Sequence, residues 1–521
     1  NLIGKNNNSN NSSKKEKIDY KSFLKKNNRS LYELFTSELF TIELLLDYLI
    51  HKEDKNIIDF LIDILYKRFQ DNILYYLPQL CSLTICKNYY SPIELFIINH
   101  SSDDLKFAVS ANWIFESFIQ DNYSEHKKKQ FIKFIESLEE VMINGPKNKR
   151  LNDKLEQFVH TLNFYNKLNR VCLRLKEIKP DPSLDKDNNI PLSELLKKTR
   201  RKYLYEKIRN FNDEIVKTFK KNKAMNSYCG IILPFEQNNK KIIVHILEKY
   251  SFFFATKERI PLKLTMECID ANELNENKIV DKEFLEKSSV TISETEFESN
   301  NNNLMGMDSD EKNKEIAKKN EAKINEIIQK IKYEDEHPNE QIKNKELNYI
   351  EENPQINQNK ENFDVKEIFK SWSETEKKIK EKSYFKIFNS LSIVSFIIKA
   401  NDDLRQEAMT MQLIKKFDEL FRKENIPLKL HPYEIIVTSN SGGLIEFIND
   451  TISFDALKKK LLEYNLTFSE FFERYFGDDF EEAQKNFAES LAGYSLVCYL
   501  LSIKDRHNGN ILLSKDGCII H

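Results

Sequence analysis

Apolar residues fall into two different rhythms along the chain. From Leu31 onward, Leu31, Leu34, Phe35, Leu39, Ile42, Leu46 and Leu49 recur at helical spacing, which lines one face of a helix. Ile57, Phe60, Leu61, Ile64 and Leu65 repeat that pattern in a helix predicted over Asn56–Phe69. Tyr75-Tyr76-Leu77-Pro78-Gln79-Leu80 opens another, with Pro78 in its first turn, where the missing N–H does no harm. Helical segments continue to about residue 220, interrupted near Lys179-Pro180-Asp181-Pro182. Short connections between successive helices predict a stacked helical-pair solenoid, an architecture suited to scaffolding. Near residue 230 the period changes. Ile242-Ile243-Val244 reads as a short buried strand. Leu262, Leu264, Met266 and Cys268 alternate with Lys263, Thr265 and Glu267, the pattern of a half-buried strand. Leu391 to Ile398 predicts an apolar strand ending in Lys399. Asp402 to Asn425 predicts an amphipathic helix with Leu404, Met411, Ile414, Phe417 and Phe421 inward, Asp402 as N-cap and Pro427 as the stop. Tyr433–Ser439 and Leu444–Ile448 read as strands around a Ser441-Gly442-Gly443 turn.

Between these patterns lie polar runs. Residues 1 to about 28 are rich in Asn, Ser and Lys, and residues 273 to about 361 fill with Asn, Glu and Lys, including Asn300-Asn301-Asn302-Asn303. Both are expected to be disordered because they cannot bury enough apolar surface, with a frayed charged helix over Asp310–Lys332. The domain plan is a disordered N-terminus (1–28), a helical domain (29–222), the first strands of a mixed domain (223–272), an insertion (273–361), further strands and a helix (362–448) and a helical end (449–521). The fold class is α+β, an all-α helical-repeat domain followed by a mixed one. The 80 Lys and Arg nearly balance the 82 Asp and Glu, so no general nucleic-acid binder is indicated. The seven cysteines are scattered without zinc-site spacing and read as reduced, mostly buried thiols of a cytosolic protein. The longest apolar run, Leu491 to Ile503, is too short to span a bilayer and holds Gly493, Ser495 and Ser502. No signal peptide is visible, and a chain starting at Asn1 looks N-terminally truncated.

The chemistry concentrates in Lys504-Asp505-Arg506-His507-Asn508-Gly509-Asn510. An Asp followed five residues later by an Asn is the spacing of a phosphoryl-transfer loop, where one residue handles the attacking hydroxyl and the other holds a metal. Asp505 and His507 are both candidates for taking that proton; imidazole titrates near neutrality, which suits a base. Asp505 serves equally well as base or as the group that holds His507. Asn510 offers an oxygen donor to magnesium, a hard cation, and Arg506 neutralises charge nearby. Lys399, at a strand end, can place its ammonium on nucleotide phosphates, with Glu407 on the next helix as the positioning carboxylate. Gly443-Leu444-Ile445-Glu446-Phe447-Ile448 can edge an apolar base slot with Ile445, presenting the carbonyl of Glu446 and the amide of Ile448. Lys382-Ser383-Tyr384-Phe385 is the candidate phosphate-covering loop, with Ser383 offering hydroxyl and amide.

The order Asp-Arg-His in the loop, the Asp402-Asp403-Leu404-Arg405-Gln406-Glu407 string after Lys399, and Ala492-Gly493-Tyr494-Ser495-Leu496-Val497-Cys498-Tyr499-Leu500-Leu501 leading into Lys504-Asp505 together resemble the phosphatidylinositol 4-kinases of the type III beta class, within the phosphoinositide 3/4-kinase superfamily. Tyr76-Leu77-Pro78-Gln79-Leu80 and Leu39-Phe40 look like the lipid-kinase-unique helical domain. The resemblance covers roughly half the chain, by the motifs just quoted. The 273–361 insertion has no counterpart, and the glycine that similar enzymes carry near Ser383 is missing.

The resemblance implies a bilobal lipid-kinase fold. Residues 223–272 and 362–448 would supply the small lobe and hinge, and 449–521 part of the large lobe. Tyr433 would sit behind the adenine slot near Glu407. The implied reaction moves the ATP γ-phosphoryl group to the inositol 4-hydroxyl of phosphatidylinositol at a membrane surface, with ATP as co-substrate and Mg2+ or Mn2+ as cofactor. A Rab-family small GTPase would be recruited through the helical domain, placing a cytoplasmic protein peripherally on Golgi and related membranes. The superfamily's Asp-Phe-Gly motif would follow His521 and would carry the second metal ligand, so residues 1–521 by themselves are expected not to turn over ATP. Two other readings stand beside this one: a phosphoinositide 3-kinase or other superfamily member, and a catalytically silent helical scaffold. The intact Lys399, Asp505 and Asn510 argue against the scaffold.

Overall fold

A computed structural model of the chain describes residues 25, 26, 28–86, 92–121, 123–144, 150–185, 190–223, 230–235, 241–254, 259–276, 365–369 and 371–521. The helix expected over Asp310–Lys332, nearly all of the 273–361 insertion and most of residues 1–28 lie outside them. The described residues divide into two compact units. The first draws on Asn1–Lys278, Phe388–Leu413 and Tyr433–Phe447; the second on Ile279–Ile387, Ile414–Pro432 and Ile448–His521.

The first unit begins with helices α1 (Arg29–Thr36), α2 (Ile42–His51), α3 (Lys55–Arg68), α4 (Leu77–Cys86), α5 (Pro92–Asp103), α6 (Leu105–Gln120), α7 (Glu125–Asn144), α8 (Arg150–Glu177) and α9 (Leu192–Lys223). Caps set the starts. Thr41, Asp54 and Asp104 each accept a backbone N–H of the helix that follows, a bond worth about 1 kcal/mol. The Thr41 cap explains why the Leu31–Leu49 stripe is two helices rather than one. Leu39 falls in the connection and is 82% exposed, so it does not join the core that its spacing predicts. Phe35, Leu45, Leu49, Leu61, Leu80, Ile97, Phe107 and Phe115 do join it, in one continuous apolar cluster. Pro78 is the second residue of α4, as its chemistry requires.

The same unit holds a sheet in the order β1 (Ile231–Ile232), β2 (Lys241–Ile246), β4 (Leu262–Asp270), β5 (Ser392–Ala400), β7 (Gly442–Glu446), β6 (Ile435–Ser439), with β3 (Phe252–Phe253) paired on β4. One face packs on α8 and α9. Tyr165 donates to the Ile232 carbonyl at 3.1 Å, its ring lies 6.3 Å from Phe396, and Asn212 brackets Ile246 with two hydrogen bonds. The alternation in β4 does not give a wet face. Lys263, Thr265 and Glu267 are all buried, because each has a partner inside. Thr265 shares a hydrogen bond with Ser395 at 2.8 Å, Glu267 pairs with His245 at 2.9 Å, and Lys263 lies over aromatic rings. After β4, helix α10 (Ala271–Glu276) occupies the expected start of the insertion. The Glu273 carboxylate accepts the N–H groups of Asn389 and Ser390, both at 2.8 Å.

Helix α12 (Arg405–Lys423) is preceded by α11 (Trp372–Lys382). Its first N–H is accepted by Asp403 at 3.1 Å, so Asp403 caps it and not Asp402. Leu404, Met411, Ile414 and Phe421 are buried as expected, whereas Phe417 is only half-buried. The second unit contains α11, β8 (Thr451–Ser453), α13 (Phe454–Glu463), α14 (Phe468–Phe476), α15 (Phe480–Leu500), β9 (Leu512–Ser514) and β10 (Ile519–Ile520), the strands running β10-β9-β8. Phe471, Phe472, Phe476, Leu457, Leu461 and Leu513 form its core. Asp450, at φ 54°, ties it together: its carboxylate accepts Trp372 N–H at 2.7 Å and the Lys515 ammonium at 2.8 Å.

Candidate active site

In the first unit the candidate residues sit on one sheet face. Antiparallel pairing puts opposed side chains on the same side and alternates sides along a strand. Lys263 opposes Ile397, Ile397 opposes Ile445, and Lys399, two residues beyond Ile397, opposes Gly443. Lys263, Ile397, Ile445 and Lys399 therefore share a face, while Phe396 points to the side packed by Tyr165. Ile397, Lys399, Ile445 and Phe447 are half-buried, so this face is partly open. Opposite Lys399 only a glycine fits. A Cβ on Gly443 would stand 2.5 Å from the Ile436 carbonyl oxygen and 2.8 Å from Leu404 Cδ1.

The carboxylate beside Lys399 is Asp402, at 3.8 Å, and Asp402 also pairs with Arg259 at 2.7 Å. Asp402 is buried. Glu407, expected in that role, is exposed, and its carboxylate has no hydrogen-bond or ion-pair partner among the described residues. The reason is local: Asn401 adopts φ 59°, and this turn brings Asp402 back toward the strand end. Arg405 holds the helix start by reaching Asp403 through two nitrogens, at 2.9 and 2.7 Å, and Asp121 of the helical region at 2.5 Å. These carboxylates hold its guanidinium charged well above the usual range, and Asp403 in turn titrates below it.

At the end of β7, Glu446 N–H donates to the Glu434 carbonyl and the Glu446 carboxylate accepts Glu434 N–H, both at 2.9 Å. Tyr433, next to Glu434, is half-buried. Ile448 lies just past the strand, half-buried, and its N–H has no backbone partner among the described residues. Ser383 is buried at the C-terminal end of α11, and its hydroxyl accepts the Phe385 N–H at 2.9 Å. That hydroxyl serves the turn of its own chain rather than facing outward to a phosphate.

In the second unit, the loop from Lys504 to Asn510 joins α15 to β9. Its outer carbonyls are held by the first turn of α13: Phe454 N–H donates to Ile511 and Asp455 N–H to Asn508, each at 3.0 Å. Asp505 is in the left-handed region at φ 61°, where Asp is among the few tolerated residues. Its carbonyl accepts the Asn510 amide nitrogen at 2.9 Å, and Asn510 N–H donates to the His507 carbonyl at 2.8 Å. The Asn510 nitrogen being so engaged, its Oδ1 is left as the outward donor, which fits a hard divalent cation. No cluster of three or more acidic, His or Cys residues able to hold a metal occurs among the described residues. His507 Nδ1 accepts the Gly509 N–H at 3.0 Å, and its Nε2 is 3.9 Å from Asp505 Oδ1, beyond hydrogen-bond length. A neutral ring that accepts at Nδ1 carries its proton on Nε2. The Asp505 carboxylate itself is 79% exposed. Arg506 turns back, its Nε donating to the Lys504 carbonyl at 3.1 Å.

Sequence reasoning missed His521. Its ring stacks 4.7 Å from Tyr494, and burial, reinforced by Arg506, pushes its pKa down to about 4. It also missed Arg259 and Lys263. Nothing in the sequence around those cations marks them, because Asp402 and Phe447, which they meet, are distant in the chain.

Residues 393–521 match the family described as phosphatidylinositol 3- and 4-kinase. A phosphatidylinositol 4-kinase of Dictyostelium discoideum is 45% identical over 170 residues, 32% of this chain and 14% of that protein. Phosphatidylinositol 4-kinase beta 2 of Arabidopsis thaliana is 44% identical over 154 residues, 29% of this chain and 14% of its own length. Phosphatidylinositol 4-kinase beta of Sorex araneus is 42% identical over 154 residues, 29% of this chain and 19% of its own. The matched stretch thus spans less than a fifth of each of these relatives.

Proposed function

We propose, from a chain whose residues 393–521 match the phosphatidylinositol 3- and 4-kinase family, that the protein transfers the γ-phosphoryl group of ATP to the 4-hydroxyl of phosphatidylinositol, giving phosphatidylinositol 4-phosphate. The observation that carries this reading is the Asp505–Asn510 loop, whose own hydrogen bonds leave one carboxylate and one amide oxygen directed outward.

Lys399 binds phosphate oxygens, and the buried Asp402 fixes its ammonium. The base rests on Ile397 and Ile445, with the Glu446 carbonyl and the Ile448 N–H as edge partners. Asn510 Oδ1 holds a divalent cation, Mg2+ or Mn2+, which when bound neutralises charge on the phosphates. Asp505 is the base for the inositol hydroxyl. The Nδ1 lone pair of neutral His507 already accepts a backbone N–H, so the ring has no free acceptor, whereas the exposed carboxylate does. The loop geometry thus favours one of the two roles that the sequence left open.

The proposal extends to a cytoplasmic protein peripheral on Golgi membranes and recruited by a Rab-family GTPase through the helical region. Its support is the resemblance to beta-type 4-kinases; among the described residues, no helix is long and apolar enough to cross a membrane. The test is a lipid kinase assay on the intact protein with phosphatidylinositol and its bisphosphate. Label at the 4-position of phosphatidylinositol, lost in Lys399→Ala, is the expected result. Label at the 3-position or on the bisphosphate overturns the substrate assignment. Within the same assay, Asp505→Asn lowers kcat by about 10²–10⁴ and His507→Gln by less; the reverse order reassigns the base.

A further inference from the structure

The open sheet face ends in a barrier that neither the fold nor the transfer chemistry requires. Lys263 is only 6% exposed. From β4 its ammonium reaches across β5 to lie 4.3 Å from the centre of the Phe447 ring, with Phe252 at 5.3 Å on its other side. The strand between is low at this point. Phe447 N–H donates to the Ser395 carbonyl, and the short Ser395 side chain is drawn down to Thr265 Oγ. A cation over an aromatic face in a dry setting is held firmly, so the pair forms a bar from β4 to the end of β7. The bar stands on the Ser395 side of the Ile397–Ile445 platform, and Lys399 stands on the other. Phosphates drawn to Lys399 leave the base directed along the platform toward the bar.

We propose that the Lys263–Phe447 pair is the end wall of the base slot, and that Lys263 is a specificity-determining residue limiting the size of base the enzyme accepts. This rests on the nucleotide reading of Lys399 and Ile445 given above. Burial is consistent with a wall: it pushes the Lys263 pKa down to about 8, as happens to an ammonium shielded from water.

The test compares ATP with ATP enlarged by an N6-benzyl group, using the intact protein, phosphatidylinositol as acceptor, and kcat and KM for each nucleotide. Lys263→Ala opens the wall and raises the kcat/KM ratio of the enlarged nucleotide to ATP by about tenfold, the scale of a pocket change of this size. Lys263→Met keeps the length of the side chain and leaves that ratio near the wild-type value. A purely structural Lys263 shifts thermal stability in the variants without moving the ratio in either, and that result overturns the proposal. Should Lys263→Ala fail to fold, Phe447→Leu opens the same bar from the opposite side and must show the same gain. Lys399→Ala separates the two levels. Activity retained in that variant indicts the nucleotide reading itself, whereas activity lost there with an unmoved ratio in Lys263→Ala indicts only the wall.

Discussion

Lys263→Met offers a stability prediction that needs no substrate. The wild-type ammonium ordinarily titrates at 10.5, and burial brings it to about 8. At pH 7 the side chain is protonated in both folded and unfolded chains, so the fold carries the whole unfavourable shift. At 1.36 kcal/mol per unit, that is about 3 kcal/mol. Two rings offset it. Phe447 at 4.3 Å and Phe252 at 5.3 Å contribute about 0.5–1 kcal/mol each, the lower part of the cation–π range, since phenylalanine is a weaker partner than tryptophan. The net penalty at pH 7 is therefore about 1–2 kcal/mol. The sign follows from linkage. A lysine with a depressed folded pKa leaves the unfolded chain holding more protons between pH 8 and 10.5, so stability rises with pH through that window. Methionine fills similar volume and does not titrate. In thermal melts from pH 7 to 10, followed by intrinsic fluorescence, Lys263→Met begins about 2–8 °C more stable than wild type, at about 2–4 °C per kcal/mol. The gap closes as pH passes 8. A gap that stays constant to pH 10, or a wild type that loses ground above pH 8, refutes the reasoning and means the rings hold the ammonium fully charged.

Two further outcomes follow from geometry alone. Gly443→Ala sets a methyl group 2.5 Å from the Ile436 carbonyl oxygen, backbone that cannot step aside; it lowers stability by about 1–3 kcal/mol and weakens ATP binding through the displaced Lys399, both measurable by urea melts with and without nucleotide. Glu267→Leu leaves His245, 12% exposed, without the carboxylate 2.9 Å away and lowers stability by about 1–3 kcal/mol; a urea midpoint within error of wild type counts against a stabilising pair.

What the sequence made legible was whatever is local. Pro78 marked a helix start, and the Leu391–Lys399 run marked a strand within a residue or two of Ser392–Ala400. The Asp505-to-Asn510 spacing marked a loop whose two ends hydrogen-bond each other. The misses are contacts made across sequence distance. Lys263, Thr265 and Glu267 read as a solvent face because they are polar, yet their partners Phe447, Ser395 and His245 come from parts of the chain far away in sequence. Asp402 read as a helix cap and Glu407 as the partner of Lys399. With Asn401 left-handed, Asp402 takes the place beside Lys399 and Asp403 caps the helix, and a backbone angle of that kind does not show in hydrophobic periodicity. Leu39 was misplaced for a similar reason: the Thr41 cap interrupts a stripe that periodicity alone carries straight through.

The register of β4 against β5 ties these features together. Lys263 meets Phe447, and Ile397 and Ile445 share a face with Lys399, only while Lys263 opposes Ile397. A slip of one residue would turn every one of these side chains to the α8 and α9 side. The connection from β4 to β5 is far longer than a hairpin turn, so turn geometry cannot set that register. The Glu273 carboxylate can. It lies directly after β4 and binds the two consecutive N–H groups of Asn389 and Ser390 just before β5, while Asp270 N–H donates to Ser390 Oγ at 3.0 Å. Those same bonds hold the Glu273 carboxyl below its usual range, so the clamp is ionised at neutral pH. Beyond such a clamp, added chain costs little, about 0.6 kcal/mol of closure entropy for each doubling of length. Three hydrogen bonds between the end of β4 and the start of β5 thus help to place Lys399 and Lys263 on the face where nucleotide chemistry is proposed.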